Sequence, residues 1–426
     1  MKSAIKPNLH LPDRWVIFLI ICLVYFFVYF HRVSTSVIVK DLLDTFKTNA
    51  TALGFMSSMY FYLYALEQPL VGFLSDRMGP RRVIGYWTLA AAAGCFLFAA
   101  APTVGWATVG RGLIGIGVGG VYVPALKALS VWFRKNEFAG MLGLLMSVGN
   151  LGAVIATTPL AWAANTWGFR SSFALIGGLT LCLSVLTLLK IPDSQGPAAS
   201  AAEPDATPPI SGTTGSDSLK ILTSIKFWIS ALIFLGSYGT LVTLQGLWLT
   251  PFLMTALAIE RIAASNLNML IPIGVIVGSP VIGWLSDRWR MDKYHLMVAI
   301  LTAYTVTWIL LIFCFRWLGS FGLGPLLLIM GILTGGFISI GWTIVRESTP
   351  ARLMGLASGL LNPAPIFGVA VFQLLTGVIL DHSERVGDSY STAGFQNAFL
   401  ACLAANCVCL VLSIILCKYR GLYGEA

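Results

Sequence analysis

The sequence predicts an all-α integral membrane protein of twelve transmembrane helices in two pseudo-symmetric six-helix bundles, and three observations carry that prediction. Hydrophobic residues make up 57% of the 426-residue chain and charged residues only 11%, whereas a soluble domain carries about 25% charged residues. The apolar residues fall into twelve runs, each long enough to cross roughly 30 Å of hydrocarbon as a helix. The third observation is an internal repeat: Pro69 to Arg77 (PLVGFLSDR) and Pro280 to Arg288 (PVIGWLSDR) are identical at six of nine positions and stand 211 residues apart.

The runs are bounded by charges or turn residues. In the first half they cover Trp15–Ile38, Ala52–Ser75, Val83–Ala101, Trp106–Phe133, Phe138–Ala163 and Phe169–Leu189. In the second they cover Phe227–Leu253, Ala263–Ser286, Tyr294–Phe315, Phe321–Val345, Leu353–Leu380 and Phe395–Cys417. The first run has no small-residue cleavage site behind it and is read as a span, not a signal peptide. Pro192 to Ser218 is rich in Pro, Ala, Ser, Gly and Thr without apolar periodicity, the composition of a flexible connector. The expected organisation is therefore a bundle over 1–191, a cytoplasmic linker over 192–222 and a second bundle over 223–426.

Orientation follows from the bases. With both ends on one side, that side holds 18 Lys and Arg and the other side 6, so the positive-inside rule places both termini in the cytoplasm, and short outer loops suggest a bacterial inner membrane. The formal charge of +9 is spread between apolar segments, unlike the single basic face of a nucleic-acid binder. All eight cysteines fall in apolar runs without metal-type spacing. No catalytic set, metal cluster or cofactor loop is present in the sequence, so an enzyme is not expected.

Gly72-Phe73-Leu74-Ser75-Asp76-Arg77-Met78-Gly79-Pro80-Arg81-Arg82 resembles the signature loop between helices two and three of the major facilitator superfamily, and the resemblance covers nearly the whole chain. It implies secondary transport by two rocking bundles around a central site. It also implies that Gly72, Asp76, Arg77, Gly79 and Arg81 form a gate latch, the Asp capping a facing helix end. The second copy supplies Asp287 and Arg288, but has Arg290 in place of Gly79. Within the superfamily, Tyr29 to Val37 (YFHRVSTSV) is similar to the first helix of anion:cation symporters and sugar-phosphate-permease-like carriers. Arg111-Gly112 with Gly115, Gly117 and Gly119 is similar to the fourth-helix motif, whose Arg borders the cavity.

The informative residues are the ionisable ones within spans, since an Arg or Lys at mid-membrane costs about 2.5–3.5 kcal/mol even on lenient scales. They are Arg32, Arg111, Lys127, Glu67 and the titratable His31. Tyr25, Tyr29, Arg32 and Ser36 recur at helical spacing as a polar stripe, which places Arg32 on the cavity or, alternatively, snorkelling to headgroups. Ser57, Tyr60, Tyr64 and Glu67 form a second line. Glu67 lies about 13 Å in from Asp76 along the helix and is either a proton-coupling site or a structural ion pair; His31 is a second proton candidate. Arg111 and Lys127 lie about 160° apart around their helix and cannot both face the cavity. The second half has no mid-membrane charge, and among its polar residues Gln245 and Asn362 are the preferred substrate contacts.

The expected substrate site is therefore Arg32, Tyr29, Tyr60, Tyr64, Arg111, Gln245 and Asn362. The expected function is proton-coupled carriage of a small organic anion, such as a carboxylate or sugar acid, by a monomer in the bilayer. An amino acid or short-peptide carrier is the alternative, with Arg32 and Glu67 holding the two ends of a zwitterion. A transporter-like solute sensor is the alternative of another class.

Overall fold

The computed structural model describes residues 11–192, 224–349, 354–386 and 389–422. Most of the expected connector, 193–222, lies outside the described residues, as do Lys2, Lys6, Lys220 and Arg352 of the basic inventory. In hydrocarbon every backbone N–H and C=O needs an internal partner, and the twelve apolar runs accordingly form helices.

The first half contains α1 (Leu11–Val33), a 3-10 turn (Ser36–Ile38), α2 (Val39–Phe46), α3 (Ala50–Met78), α4 (Pro80–Ala100), α5 (Val104–Gly119), α6 (Tyr122–Trp132), α7 (Lys135–Ile155) and α8 (Thr158–Lys190). The second half contains α9 (Ile225–Thr243), a π turn (Leu244–Trp248), α10 (Leu249–Leu257), α11 (Arg261–Asn268), α12 (Leu270–Arg288), α13 (Lys293–Phe313), α14 (Phe315–Ser348), α15 (Met354–Leu361), α16 (Pro363–Asp381) and α17 (Thr392–Leu422). Ten segments among the described residues are long and apolar enough to cross a membrane. The polar 29-residue α3 and the 21-residue α7 complete the twelve.

Several spans expected to be continuous are broken. The first stops at Val33, where Ser34 and Thr35 turn the chain into the 3-10 segment. The fourth is interrupted between Gly119 and Tyr122. The eleventh, in contrast, carries Pro363 and Pro365, which predict a bend, and it does bend at Asn362 with Pro363 opening α16, as a residue without a backbone N–H does at a first helical position. A two-stranded hairpin, β1 (Arg385–Val386) with β2 (Ser389–Tyr390), joins α16 to α17. No strand was expected there.

Within the halves, α4 packs on α5 and α8, and α12 packs on α14. Between the halves, α3 runs along α16 and α7 meets α12. Large apolar side chains such as Leu66, Leu70, Trp284 and Leu189 are exposed on the outside, as a lipid-facing surface requires.

The contacts between halves are unevenly placed. Taking the face with Arg77 and Arg288 as the basic face, the two halves touch at the opposite face. There Arg261 makes a two-pronged ion pair with Asp41 at 2.7 and 2.8 Å, and Thr158 donates to Asn266 at 2.7 Å. Ser36, Thr250 and Asn268 share bonds of 3.0–3.2 Å. The backbones also meet: a Cβ on Gly54 would lie 2.5 Å from the Gln373 carbonyl oxygen, and one on Gly246 would lie 2.6 Å from that of Arg32. Nearer the basic face, by contrast, nothing lies within 4 Å of the Cβ positions of Gly72, Gly140, Gly143 and Gly359. The ion pairs Arg14–Glu137 and Lys293–Asp287 each stay within one half.

Candidate functional site

The break after α1 creates the site. Ending the helix at Val33 frees the carbonyl of His31, and Arg111 on α5 donates both Nη atoms to it at 3.1 and 3.2 Å. The next residue, Arg32, points the other way. Its guanidinium stacks on the Tyr29 ring at 4.5 Å and lies 5.4 Å from the Tyr64 ring, within range for cation–π attraction. It donates through Nη1 to the Tyr238 hydroxyl at 3.1 Å and through Nη2 to the Tyr64 hydroxyl at 3.4 Å. Tyr238 belongs to α9, so this bond crosses between the two halves. Arg32 is 7% exposed, and its Nε is buried without a hydrogen-bond partner.

Tyr60 is fully buried and donates to the Val28 carbonyl at 2.9 Å. Its ring lies under Arg111 at 5.0 Å, so it backs the site instead of lining it. Gln245 sits in the π turn; its carbonyl accepts from Asn268 at 2.9 Å and its own Nε2 is buried without a partner. A π turn displaces one residue from the helical ladder and commonly marks a functional position. Asn362 is half-buried at the α15–α16 junction.

Besides Tyr60, one further expected substrate contact is corrected. Arg111 does not border an open cavity, since it is fully buried inside the first half and committed to His31. His31, the second proton candidate, is fully buried, 3.6 Å from Cys95 Sγ and packed among Phe27, Phe30 and Phe173. Lys127 donates to the Ser75 carbonyl at 2.9 Å, a cation on the last turn of α3 that suits the negative end of the helix dipole.

Glu67 is placed one turn beyond Tyr64 on α3. Its Oε2 accepts from the Trp87 indole at 2.9 Å, while Oε1 is buried with no hydrogen-bond partner. The carboxyl is wedged against the α5–α6 break, where a Cβ on Gly119 would collide with Oε1. Neighbouring Gln68 donates to the carbonyls of Tyr64 at 3.1 Å and Gly119 at 3.2 Å. The ion pair of Glu67 with Arg32, Arg111 or Lys127, left open by the sequence, is not the arrangement present.

In the signature loop Gly79 adopts φ +80, which glycine tolerates best, and Arg77 stacks on Phe73 at 4.3 Å. The Asp76 side chain lies outside the described residues. In the second copy Arg290, standing where Gly79 would, also has a positive φ, +49. The positive φ recurs without the glycine, but in a longer turn, with four residues between Arg288 and Lys293 where Gly79 alone separates Met78 from Pro80. Asp287 pairs with Lys293 of its own half, and Arg288 is exposed.

Tyr238, which bonds to Arg32, was not among the preferred contacts. In the sequence it is one polar candidate of the second half beside Gln245, Asn266, Asn268, Trp342, Asn362 and Gln373, and its signal was only that it lies about two turns before Gln245. The Asp41–Arg261 pair gave no signal, because exposed loop charges also serve orientation.

Comparison with known proteins gives a consistent result. Residues 21–370 match the family described as Major Facilitator Superfamily. An uncharacterized transporter of Bacillus subtilis (strain 168), YybO, is 27% identical over 408 residues, covering 90% of this chain and 91% of that protein. A probable galactarate/D-glucarate transporter of the same organism is 22% identical, covering 95% and 91%. Among solved structures, a bacterial homologue of the human lysosomal transporter Spinster, inward-facing and unoccupied, superposes with a TM-score of 0.80 at 15% identity, covering 98% of this chain and all of that one.

Proposed function

The chain belongs to the major facilitator superfamily, a transporter and not an enzyme, and from that premise we propose that it carries small organic anions across a bacterial cytoplasmic membrane, with Arg32 as the anion seat. The observation that carries the reading is the guanidinium of Arg32, buried between Tyr29, Tyr64 and Tyr238 with an unpartnered Nε and, among the described residues, no carboxylate bonded to it. A buried cation without an acid is costly unless a guest anion completes it. The two phenols accept from Arg32, so their own O–H hydrogens are free to donate to that anion. Because Tyr238 comes from the second half, an anion bound here touches both bundles and favours their closure.

The basic face is taken as cytoplasmic, which makes the described state closed to the outside. Gln245 and Asn362 supply neutral contacts from the second half. Glu67 is proposed as the proton site: a carboxylate with one donor and a second buried oxygen unserved is poorly solvated when charged. Its turn of α3 is tied through Gln68 to Tyr64 and so to Arg32. The amino acid reading is disfavoured by Glu67 bonding to Trp87 and not facing Arg32.

The test is counterflow of labelled carboxylates in sealed liposomes. The expected result is exchange that disappears in Arg32→Gln while the variant's thermal unfolding is unchanged. Normal exchange by Arg32→Gln removes the anion seat.

A further inference from the structure

We infer that the seat takes a single negative charge, so that the cargo is an organic monoanion with a neutral polar or aromatic remainder and matched dianions are refused. The inference rests on the anion reading above and adds the charge count of its substrate. Three bases lie within the spans: Arg32, Arg111 and Lys127. Arg111 is fully buried behind Tyr60 with both Nη atoms on the His31 carbonyl. Lys127 is bonded to the Ser75 carbonyl at the basic end of α3. That leaves Arg32 as the one base that opens toward the second half, through its bond to Tyr238.

The second half brings no opposing charge. The group it places on Arg32 is the neutral phenol of Tyr238, and among the described residues the middle of its spans carries no charged side chain. One carboxylate can settle in the fork of Arg32 and accept the phenolic hydrogens of Tyr64 and Tyr238. A second carboxylate on the same molecule would leave water for a second half whose spans, among the described residues, offer it no cation. Removing a charge from water without an opposite charge is far more costly than removing a hydroxyl that finds a hydrogen bond. The unpartnered Nε2 of Gln245 in the π turn suits a neutral acceptor, a hydroxyl or carbonyl oxygen. By this count the chain differs from its relative named for galactarate and D-glucarate, both dicarboxylates.

The experiment uses pairs that differ in charge and little else: D-galactonate with galactarate, and butyrate with succinate. Each competes for binding to the full-length protein in nanodiscs at neutral pH, with the uncharged polyol galactitol as a further competitor. The expected outcome is at least tenfold tighter binding of the monoanion in each pair that binds, and a narrowing gap for succinate as the pH is lowered and its second carboxyl takes up a proton. Equal or tighter binding of the dianions overturns the single-charge inference and leaves the anion seat standing. Binding of galactitol with no binding of any carboxylate, or no binding of any of the five, overturns the anion seat and the charge count together.

Discussion

Asp381, the last residue of α16, caps the first turn of α3 in the other bundle, its Oδ2 accepting the backbone N–H of Thr51 at 2.7 Å. Its Oδ1 accepts the N–H of Ala50 at 2.9 Å, and the N-cap Asn49 takes that of Ala52 at 2.9 Å. The positive end of α3 is thus neutralised by an acid from across the interface. Tyr390, from the β-hairpin, donates to Asp381 at 2.5 Å. Burial and the bond to Asp381 push its phenol up to about 12, so it stays protonated at neutral pH.

Because the cap joins the bundles only while the face opposite the basic one is closed, Asp381→Asn should favour opening there. The amide keeps an acceptor but loses the charge and one of the two bonds. A lost cap is worth about 1 kcal/mol, so the open population should rise roughly fivefold. Spin-label distances between the exposed positions Thr45 and Glu384 would report it. An unchanged distance distribution argues that Asp381 only stabilises the fold.

The Asp41–Arg261 pair, 12% and 27% exposed at its Arg and Asp side chains, should act in the same direction. Either single reversal, Asp41→Arg or Arg261→Asp, places like charges together across the closed face and should slow transport. The double reversal should restore most of the rate, because the geometry is bidentate. Failure of the double variant to recover, with each single variant still folded, removes this pair from the closed state.

How far the sequence reaches is visible in these two contacts. The spans, the two-bundle organisation and the stripe bearing Tyr29 and Arg32 were legible because hydropathy and helical spacing are local properties. The cap of Asp381 on Thr51 was not, since it joins residues 330 positions apart and depends on which face of the carrier is closed. Arg111 was misassigned for a related reason. A buried Arg satisfied by a backbone carbonyl looks, in sequence, the same as one that awaits a ligand. The deciding feature was the break at Ser34 and Thr35, which frees the carbonyl, and hydroxyl residues do not by themselves announce a helix end.

Tyr238→Phe tests whether the second bundle takes part in binding. The ring and its packing are kept while the one hydroxyl bonded to Arg32 from that side is lost. A hydrogen bond to a charged group contributes about 1.5–3 kcal/mol, so the apparent affinity should fall about tenfold or more. Arg32→Lys should be nearly as damaging as Arg32→Gln, because an ammonium cannot reproduce the planar fork or the stacking on Tyr29. Binding isotherms of the preferred monoanion on the three variants decide both points, and a Tyr238→Phe affinity equal to wild type confines the seat to the first bundle.

Glu67→Gln separates carriage from coupling. The amide oxygen still accepts the Trp87 indole, so the wedge against the α5–α6 break is kept and the anion seat, one turn away, is untouched. What the variant loses is the ability to take up and release a proton. If Glu67 loads a proton with each anion, exchange of anion for anion, which needs no net proton movement, should proceed at near wild-type rate. Accumulation driven by an acid-outside gradient should fall to the level of equilibration. The two assays on the same liposomes make the distinction, because a merely structural Glu67 would lower both together. Undiminished pH-driven accumulation clears Glu67 of the proton, and coupling would then have to run through another group, such as His31, or be absent.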